Sequence, residues 1–418
     1  MIKYAMNIIE ELLGLKEFKI NNLITRYKKK VIIAVETKTI KMQCPKCEKT
    51  TRSINHRYTT TVRDISISGK NVFLEIKRKV FYCNSCDYAF GERLESVSPK
   101  RIYTKRFERM IFEFCLENTI LNVSRSHKLP YDCVKGIYNR IADICIEHLK
   151  KYNEDIEILG IDEISIRKGH KNYQAVVSNI SGGYVLDMLP DRKKETVVKY
   201  LKNLPEKAKN RIVFVSMDMW DGYFRATREI LPNTTIVIDR FHVMSNLNKA
   251  ITKCRRDIQR ELPKEKKDKY KGYRWILVKN EETMTEEDFK KLDQMIKDCP
   301  ELCELYNLKV EFQEIFNRTR KVEVAEKKLK IWKNKIKRLN NPNMDNFINL
   351  LDNWGEWILN YFVSKKVTNA FVEGMNNKIK LIKRMGYGYR SKINFRRKVL
   401  VECGYNKLPK KKKLVFLI

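Results

Sequence analysis

The chain has 418 residues and is 43% hydrophobic, enough for about two to four ordinary domains. Its 86 Lys plus Arg stand against 51 Asp plus Glu, a net charge of +35. An excess of that size costs self-repulsion and points to a polyanionic partner, nucleic acid above all. No apolar run approaches the roughly 18 residues of a membrane span, and Met1 to Phe18 carries Glu10, Glu11 and Glu17 instead of a signal-peptide layout. A cytoplasmic protein is expected, and in that compartment 11 cysteines do not imply a disulfide framework.

The first element is a cysteine block. Cys44-Pro45-Lys46-Cys47 and Cys83-Asn84-Ser85-Cys86 are two CxxC pairs separated by residues 48–82. Each pair can present two thiolates from one tight turn, and four thiolates suit a closed, tetrahedral, structural Zn²⁺ site. Between them, Thr59 to Asp64 and Asn71 to Tyr82 alternate apolar and polar side chains around Ser68-Gly69, which predicts two strands and a turn. The module reads as zinc-ribbon-like. With four thiols present, His56 is expected to face solvent. Cys115, Cys133, Cys145, Cys254, Cys299, Cys303 and Cys403 are expected to be small core residues.

From Thr104 to Leu149 the apolar period becomes helical. Phe107, Met110, Ile111, Phe114 and Cys115 form one predicted face, and Ile120, Leu121, Val123 and Ser124 open a short second helix. Lys128-Leu129-Pro130 breaks it. Tyr131 to His148 forms a third, with Val134, Ile137, Ile141, Ile144 and Cys145 inward. That layout matches a helix-turn-helix, in which Lys135, Asn139 and Arg140 would face the major groove. A plain three-helix packing unit has the same pattern.

Next come predicted strands at Glu157 to Ile166, Tyr173 to Ile180 and Tyr184 to Leu189, the last two joined by Ser181-Gly182-Gly183. A helix at Glu195 to Leu204, a strand at Arg211 to Ser216, a helix at Asp221 to Leu231 and a strand at Thr234 to Ile238 complete the run. A three-strand meander followed by parallel additions is the order of a ribonuclease H-like fold. The first strand would then lie beside the fourth, bringing Asp162 close to Asp218. Two bare carboxylates repel, and Mg²⁺ or Mn²⁺, a pair of ions in this reading, relieves the repulsion. Asp239-Arg240-Phe241-His242 follows the last strand. Asp239 and His242 can touch each other or a phosphate, Phe241 is expected to pack inward, and a plain helix-capping Asp is the alternative.

Val243 to about Tyr361 reads as helical and highly charged, with Leu292, Met295, Ile296, Leu302 and Leu305 at helical spacing. Trp332, Trp354 and Trp357 are expected to be core anchors, with base stacking as the alternative. Glu373 then falls on a predicted helix followed by Lys378, Lys380, Lys383 and Arg384, a coherent arrangement of one acid and several phosphate-binding cations. Standing alone, an ordinary solvated helix ended at Gly386 is the simpler reading. Lys410 to Lys413 is a phosphate-attracting patch.

Taken jointly, the two CxxC pairs, the three helices, Gly160-Ile161-Asp162-Glu163, Ser216-Met217-Asp218-Met219-Trp220, Asp239-Arg240-Phe241-His242 and Val372-Glu373-Gly374-Met375-Asn376-Asn377-Lys378-Ile379-Lys380 span nearly the whole chain. With them the chain resembles bacterial insertion-sequence transposases of the DDE superfamily, ISL-three-like family. The resemblance implies Asp162, Asp218 and Glu373 as a metal-binding catalytic triad, and Asp239 with His242 as an accessory pair. It implies cleavage at transposon ends and joining of the 3′-hydroxyl to target DNA. The implied partners are double-stranded DNA, as terminal inverted repeats and target, and further copies of the chain, at least a dimer on DNA.

The expected organisation is multidomain: a zinc-binding module over 1–100, a helix-turn-helix over 101–153, a ribonuclease H-like core over 154–244, a helical insertion over 245–362, and the last part of the core with the basic tail over 363–418. A DNA-binding regulator, or another ribonuclease H-like nuclease, remains the alternative.

Overall fold

A computed structural model describes residues 10–11, 13–27, 29–167, 172–364 and 370–413. The chain divides into two compact units, one ending at Ile144 and the other beginning at Cys145.

The first unit is built on a mixed sheet of β1 (Phe18–Tyr27), β2 (Lys30–Thr37), β5 (Ile54–Ile67), β6 (Lys70–Cys83) and β7 (Tyr88–Gly91), with β3 (Met42–Gln43) and β4 (Thr50–Thr51) forming a separate ribbon. The predicted turn between β5 and β6 places both Ser68 and Gly69 at positive φ, 48° and 72°. That backbone twist matches the twist of the flanking strands. Alternation along β6 buries Val72, Leu74 and Ile76 against Phe18, Ile33, Val35 and Val62. Beyond this core the same strand runs on and ends at Cys83.

Three helices follow: α1 (Lys105–Glu117), α2 (Ile120–His127) and α3 (Tyr131–Lys150). Thr104 and Thr119 cap the first two through their side chains. The fully buried Asp64 of β5 ties α1 to the sheet, accepting from Thr104 Oγ1 at 2.6 Å and Arg106 Nε at 2.8 Å. Lys128 ends α2 in the left-handed region, φ 50°, before Pro130 starts the next turn. Most of the predicted inner face is buried, but Phe114 and Ile144 are exposed at 45% and 40%. Phe112 is buried instead, 5.6 Å from the Tyr138 ring. A strict 3.6 period does not say how wide the buried stripe is, and here it is rotated by about one position.

The second unit holds a five-stranded sheet in the order β10-β9-β8-β11-β12, formed by β8 (Ile158–Arg167), β9 (Asn172–Asn179), β10 (Tyr184–Met188), β11 (Phe214–Met217) and β12 (Thr235–Ile238). β9 is antiparallel to both β8 and β10, whereas β11 and β12 run parallel to β8. Helices α4 (Lys194–Lys202), α5 (Glu206–Arg211) and α6 (Asp221–Ile230) connect these strands. The sequence reading missed α5 and started the fourth strand at Arg211. Pro205 sits at the N-cap of α5, and the strand begins only at Phe214.

After β12 the chain is helical: α7 (Arg240–Glu261), α8 (Lys264–Gly272), α9 (Arg274–Val278), α10 (Glu286–Asp298), α11 (Pro300–Arg318), α12 (Val322–Lys337), α13 (Pro342–Asn353) and α14 (Gly355–Val363). Trp332 anchors this region, fully buried against Phe312 and Phe347, with its indole N–H donated to Leu308 O at 2.8 Å. Trp354 and Trp357 are half-buried and cluster on Phe224. The core-anchor reading therefore fits Trp332 best.

Two further helices, α15 (Ala370–Met385) and α16 (Lys392–Val399), return to the sheet. Arg396 grips Asp187 of β10 with two bonds, Nε to Oδ1 at 2.7 Å and Nη2 to Oδ2 at 2.9 Å. Arg396→Met is expected to lower stability by about 2 kcal/mol, the scale of charge-assisted bonds lost from a half-buried pair. A urea titration followed by circular dichroism measures it, and an unchanged midpoint would remove this fork as the anchor of α16.

Candidate active site and metal centre

Strand register assembles the acidic site. Met217 pairs with Ile161 on one side and Ile238 on the other. Asp162, Asp218 and Asp239 each follow that paired row, so three carboxylates stand side by side at the same edge of neighbouring strands. Alternation sends Glu163 to the opposite face, where Arg192 holds it at 2.6 Å. Arg192 is itself held over the rings of Tyr173 and Trp220, at 4.4 and 4.2 Å. Of the Asp162-Glu163 pair, only Asp162 joins the acidic edge.

His242 lies among the three acids. Its Nδ1 is 3.2 Å from Asp218 Oδ1, and its Nε2 is 3.7 Å from Asp162 Oδ1 and 4.0 Å from Asp239 Oδ2. Asp239 caps α7, accepting from Phe241 N at 3.1 Å, which is the helix-capping alternative, while its other oxygen lies 4.0 Å from His242 Nε2. Phe241 does not pack inward as expected: it is 53% exposed. Position 241 is in the first turn of α7, and the inward place of that turn is taken by Val243, which is fully buried.

Asp162 is 7% exposed. Burial, and to a lesser degree Asp218, push its carboxyl above the usual range, against the lowering effects of His242, the Glu163 amide and Asn376. Asn376 was not given a role by the sequence reading. It lies buried on α15 and donates Nδ2 to Asp162 Oδ2 at 2.7 Å, while its Oδ1 has no hydrogen-bond partner among the described residues. The signal was available, since Asn376 follows Glu373 by one helical turn and shares its flank.

Glu373 is exposed and lines a cavity that Asp239 also lines. Its helix is drawn to the sheet by Val372, Ile379 and Ile382, all buried. Gly160 permits the close approach: a Cβ there would sit 3.3 Å from Val372 and 2.9 Å from Ile180. Even so, among the described residues the acids do not meet metal-ligand spacing as a set of three, and only the cysteines do.

Of the cations after Glu373, Lys380 and Arg384 are exposed. Lys378 pairs with the buried Glu402 at 3.0 Å, and Lys383 donates to Ser165 O at 3.0 Å. In the first unit, Lys135 and Asn139 are half-buried, with the Lys135 ammonium 5.9 Å from the centre of the Tyr131 ring. Arg140 is turned onto the buried Glu108 at 2.5 Å and links α3 to α1. Asn369 lies outside the described residues.

The four cysteines converge as the spacing predicted. Their sulfurs lie within 4.8 Å of one another, with Cys44–Cys86 and Cys47–Cys86 at 3.4 Å and Cys47–Cys83 at 3.6 Å. A tetrahedral ZnS₄ site with bonds of about 2.3 Å has edges of about 3.8 Å, so the donor set fits that ion. Each CxxC turn is followed by a residue at positive φ, Glu48 at 61° and Asp87 at 47°. Burial raises the Cys44 thiol, but backbone amides of Cys47 and Lys46 and the neighbouring thiols bring it down to about 6, toward the thiolate a metal needs. His56 is exposed and outside the cluster.

Residues 159–399 match the family model described as transposase, of the ISL3-type DDE group, and residues 40–86 match the zinc-finger of transposases IS204/IS1001/IS1096/IS1165. The chain belongs to the ISL3-type family of insertion-sequence transposases, and its N-terminal module is that family's zinc ribbon. It is 27% identical over 357 residues to the transposase for insertion sequence element IS1001 of Bordetella parapertussis, covering 85% of this chain and 87% of that protein. It is also 27% identical over 258 residues to the transposase for IS1557 of Mycobacterium tuberculosis, covering 56% and 57%. Among the described residues no helix is long and apolar enough to cross a membrane.

Proposed function

We propose that this protein cuts DNA at the ends of its own insertion sequence and joins the freed 3′-hydroxyl to target DNA, using Asp162, Asp218 and Glu373 to hold two Mg²⁺ or Mn²⁺ ions. The observation that carries the reading is the row of carboxylates at matched register, with Asp162 buried and His242 between them. A buried carboxylate beside another is costly unless a cation is bound there. When bound, such ions neutralise the acids and polarise the attacking and departing oxygens. Asn376 orients Asp162 by its 2.7 Å bond, and His242 holds Asp218. Glu373 would complete the set from α15, on the wall of the cavity it shares with Asp239.

The sheet order, three antiparallel strands extended by two parallel ones, supports a ribonuclease H-like core interrupted after β12 by the helical insertion. The left-handed Lys128 break between α2 and α3 supports a helix-turn-helix. There Lys135 and Asn139 are the candidate DNA contacts, and Arg140 serves packing. Lys380 and Arg384 would meet phosphates beside the acids. We read the protein as acting in the cytoplasm, as at least a dimer on DNA.

The test is a supercoiled plasmid carrying the element's inverted repeats, incubated with protein, Mg²⁺ and target DNA. Joined products support the proposal. Cutting without joining makes the protein a nuclease, and binding alone makes it a regulator. Affinity for the repeats is expected to fall about 10³- to 10⁵-fold between 50 and 200 mM salt, as for six to ten phosphate contacts. Anisotropy titrations measure this, and a flat response would refute the role of the basic surface.

A further inference from the structure

Beside the acidic edge opens a cavity of about 960 Å³ whose walls come from α7, the Arg274–Asn280 segment, α13 and α15. Among the described residues its acidic lining residues are Asp239 and Glu373, which belong to the proposed catalytic group. Elsewhere the wall is basic. Lys249, Lys253 and Arg256 stand on one face of α7 at spacings of four and three residues, and Arg274 joins them; all four are exposed. Among the described residues none of these four pairs with a carboxylate. Two aromatic rings are also open to this space, Phe241 at 53% and Trp275 at 68% exposure, and the Arg274 guanidinium lies 4.8 Å from the Trp275 ring centre. The core of this region is closed around Trp332 without Trp275, so the open indole is not needed for packing.

We propose that this cleft holds an unpaired stretch of DNA leading to the acids, with Trp275 stacking on one of its bases. Cations that track a backbone, alternating with open aromatic faces, are what single strands need and what a paired duplex does not use. The volume is at the upper end of that of small-ligand pockets, which suits a few nucleotides. The inference rests on the transposase reading, and it assigns to that site a melted or frayed end as the form of substrate engaged.

The test uses full-length Asp162→Asn protein without added Mg²⁺, so that binding is read apart from cleavage. A labelled short thymidine oligomer and a duplex of equal length are titrated by anisotropy. Trp275→Ala is expected to weaken oligomer binding roughly 5- to 150-fold, the range for loss of one stacked base, and to leave duplex binding unchanged. Lys253→Ala with Arg256→Ala is expected to reduce the slope of log affinity against log salt by about 1.4, two single-strand phosphate contacts. Thermal melting verifies that each variant is folded. Equal oligomer affinity of the folded Trp275→Ala protein, or equal loss for duplex and oligomer, overturns the proposal. Failure of the plasmid assay with retained Trp275-dependent binding would sink the catalytic reading and leave the cleft standing.

Discussion

Asp162→Asn is expected to abolish strand cleavage, by at least about 10³-fold, while leaving affinity for the terminal repeats within about twofold. The amide keeps the size of the side chain and an oxygen that Asn376 Nδ2 can reach, so the strand edge and the β8–α15 contact survive. What disappears is the charge that, on the proposed reading, would hold a divalent ion. The same change is expected to raise the thermal midpoint of metal-free protein. Burial lifts the Asp162 carboxyl above its unfolded range. The unfolded chain therefore gives up this proton at a lower pH than the folded one. Stability falls as pH rises from the unfolded value through the raised folded one, and the loss is complete above it. At neutral pH the wild type carries that destabilisation and the asparagine variant does not. Cleavage at wild-type rate by the folded variant would remove Asp162 from the chemistry, and a lowered midpoint would contradict the cost assigned to its burial.

Stripping zinc, or Cys83→Ser, is expected to unravel residues 42–51 and 83–91 and to weaken DNA binding, with the acidic site intact. Structural zinc contributes apparent binding energies of about 10–16 kcal/mol, as much as the whole net stability of a typical domain. The small cluster of Cys44, Phe81, Cys83 and Phe90 offers little apolar burial to replace it, whereas the main core around Val72, Leu74 and Ile76 is separate. Unfolding should therefore stop part-way along β6. Limited proteolysis with mass spectrometry reads the new cut sites, and Cys303→Ser serves as a control. Unchanged protease resistance of 42–51 in chelator would mean that the four thiols need no ion.

Much of this was legible from the residues. The CxxC pairs, the Ser68-Gly69 turn and the short apolar runs leading to Asp162, Asp218 and Asp239 are local signals, because turn chemistry and strand alternation act over a few residues. The position of Glu373 on a helix was legible too, but the approach of that helix to the sheet depends on Gly160, some two hundred residues earlier. Phe241, Phe114 and Ile144 were read as inward and are exposed, because a periodic stripe gives spacing but not its rotation about the helix axis. Arg140 was read as a groove contact and is spent on Glu108, a partner that no local pattern names.

By itself, then, the sequence determined the inventory: the four thiols of the zinc ribbon, the candidate acids, the strands that present them, and the chain's excess of positive charge. Tertiary structure decided partnership. It put His242 among three acids, bonded Asn376 to Asp162, left Trp275 open beside exposed cations and turned Arg140 inward. Local propensities reach across one turn or one strand, whereas these contacts join segments brought together only when the sheet closes and the helices pack on it.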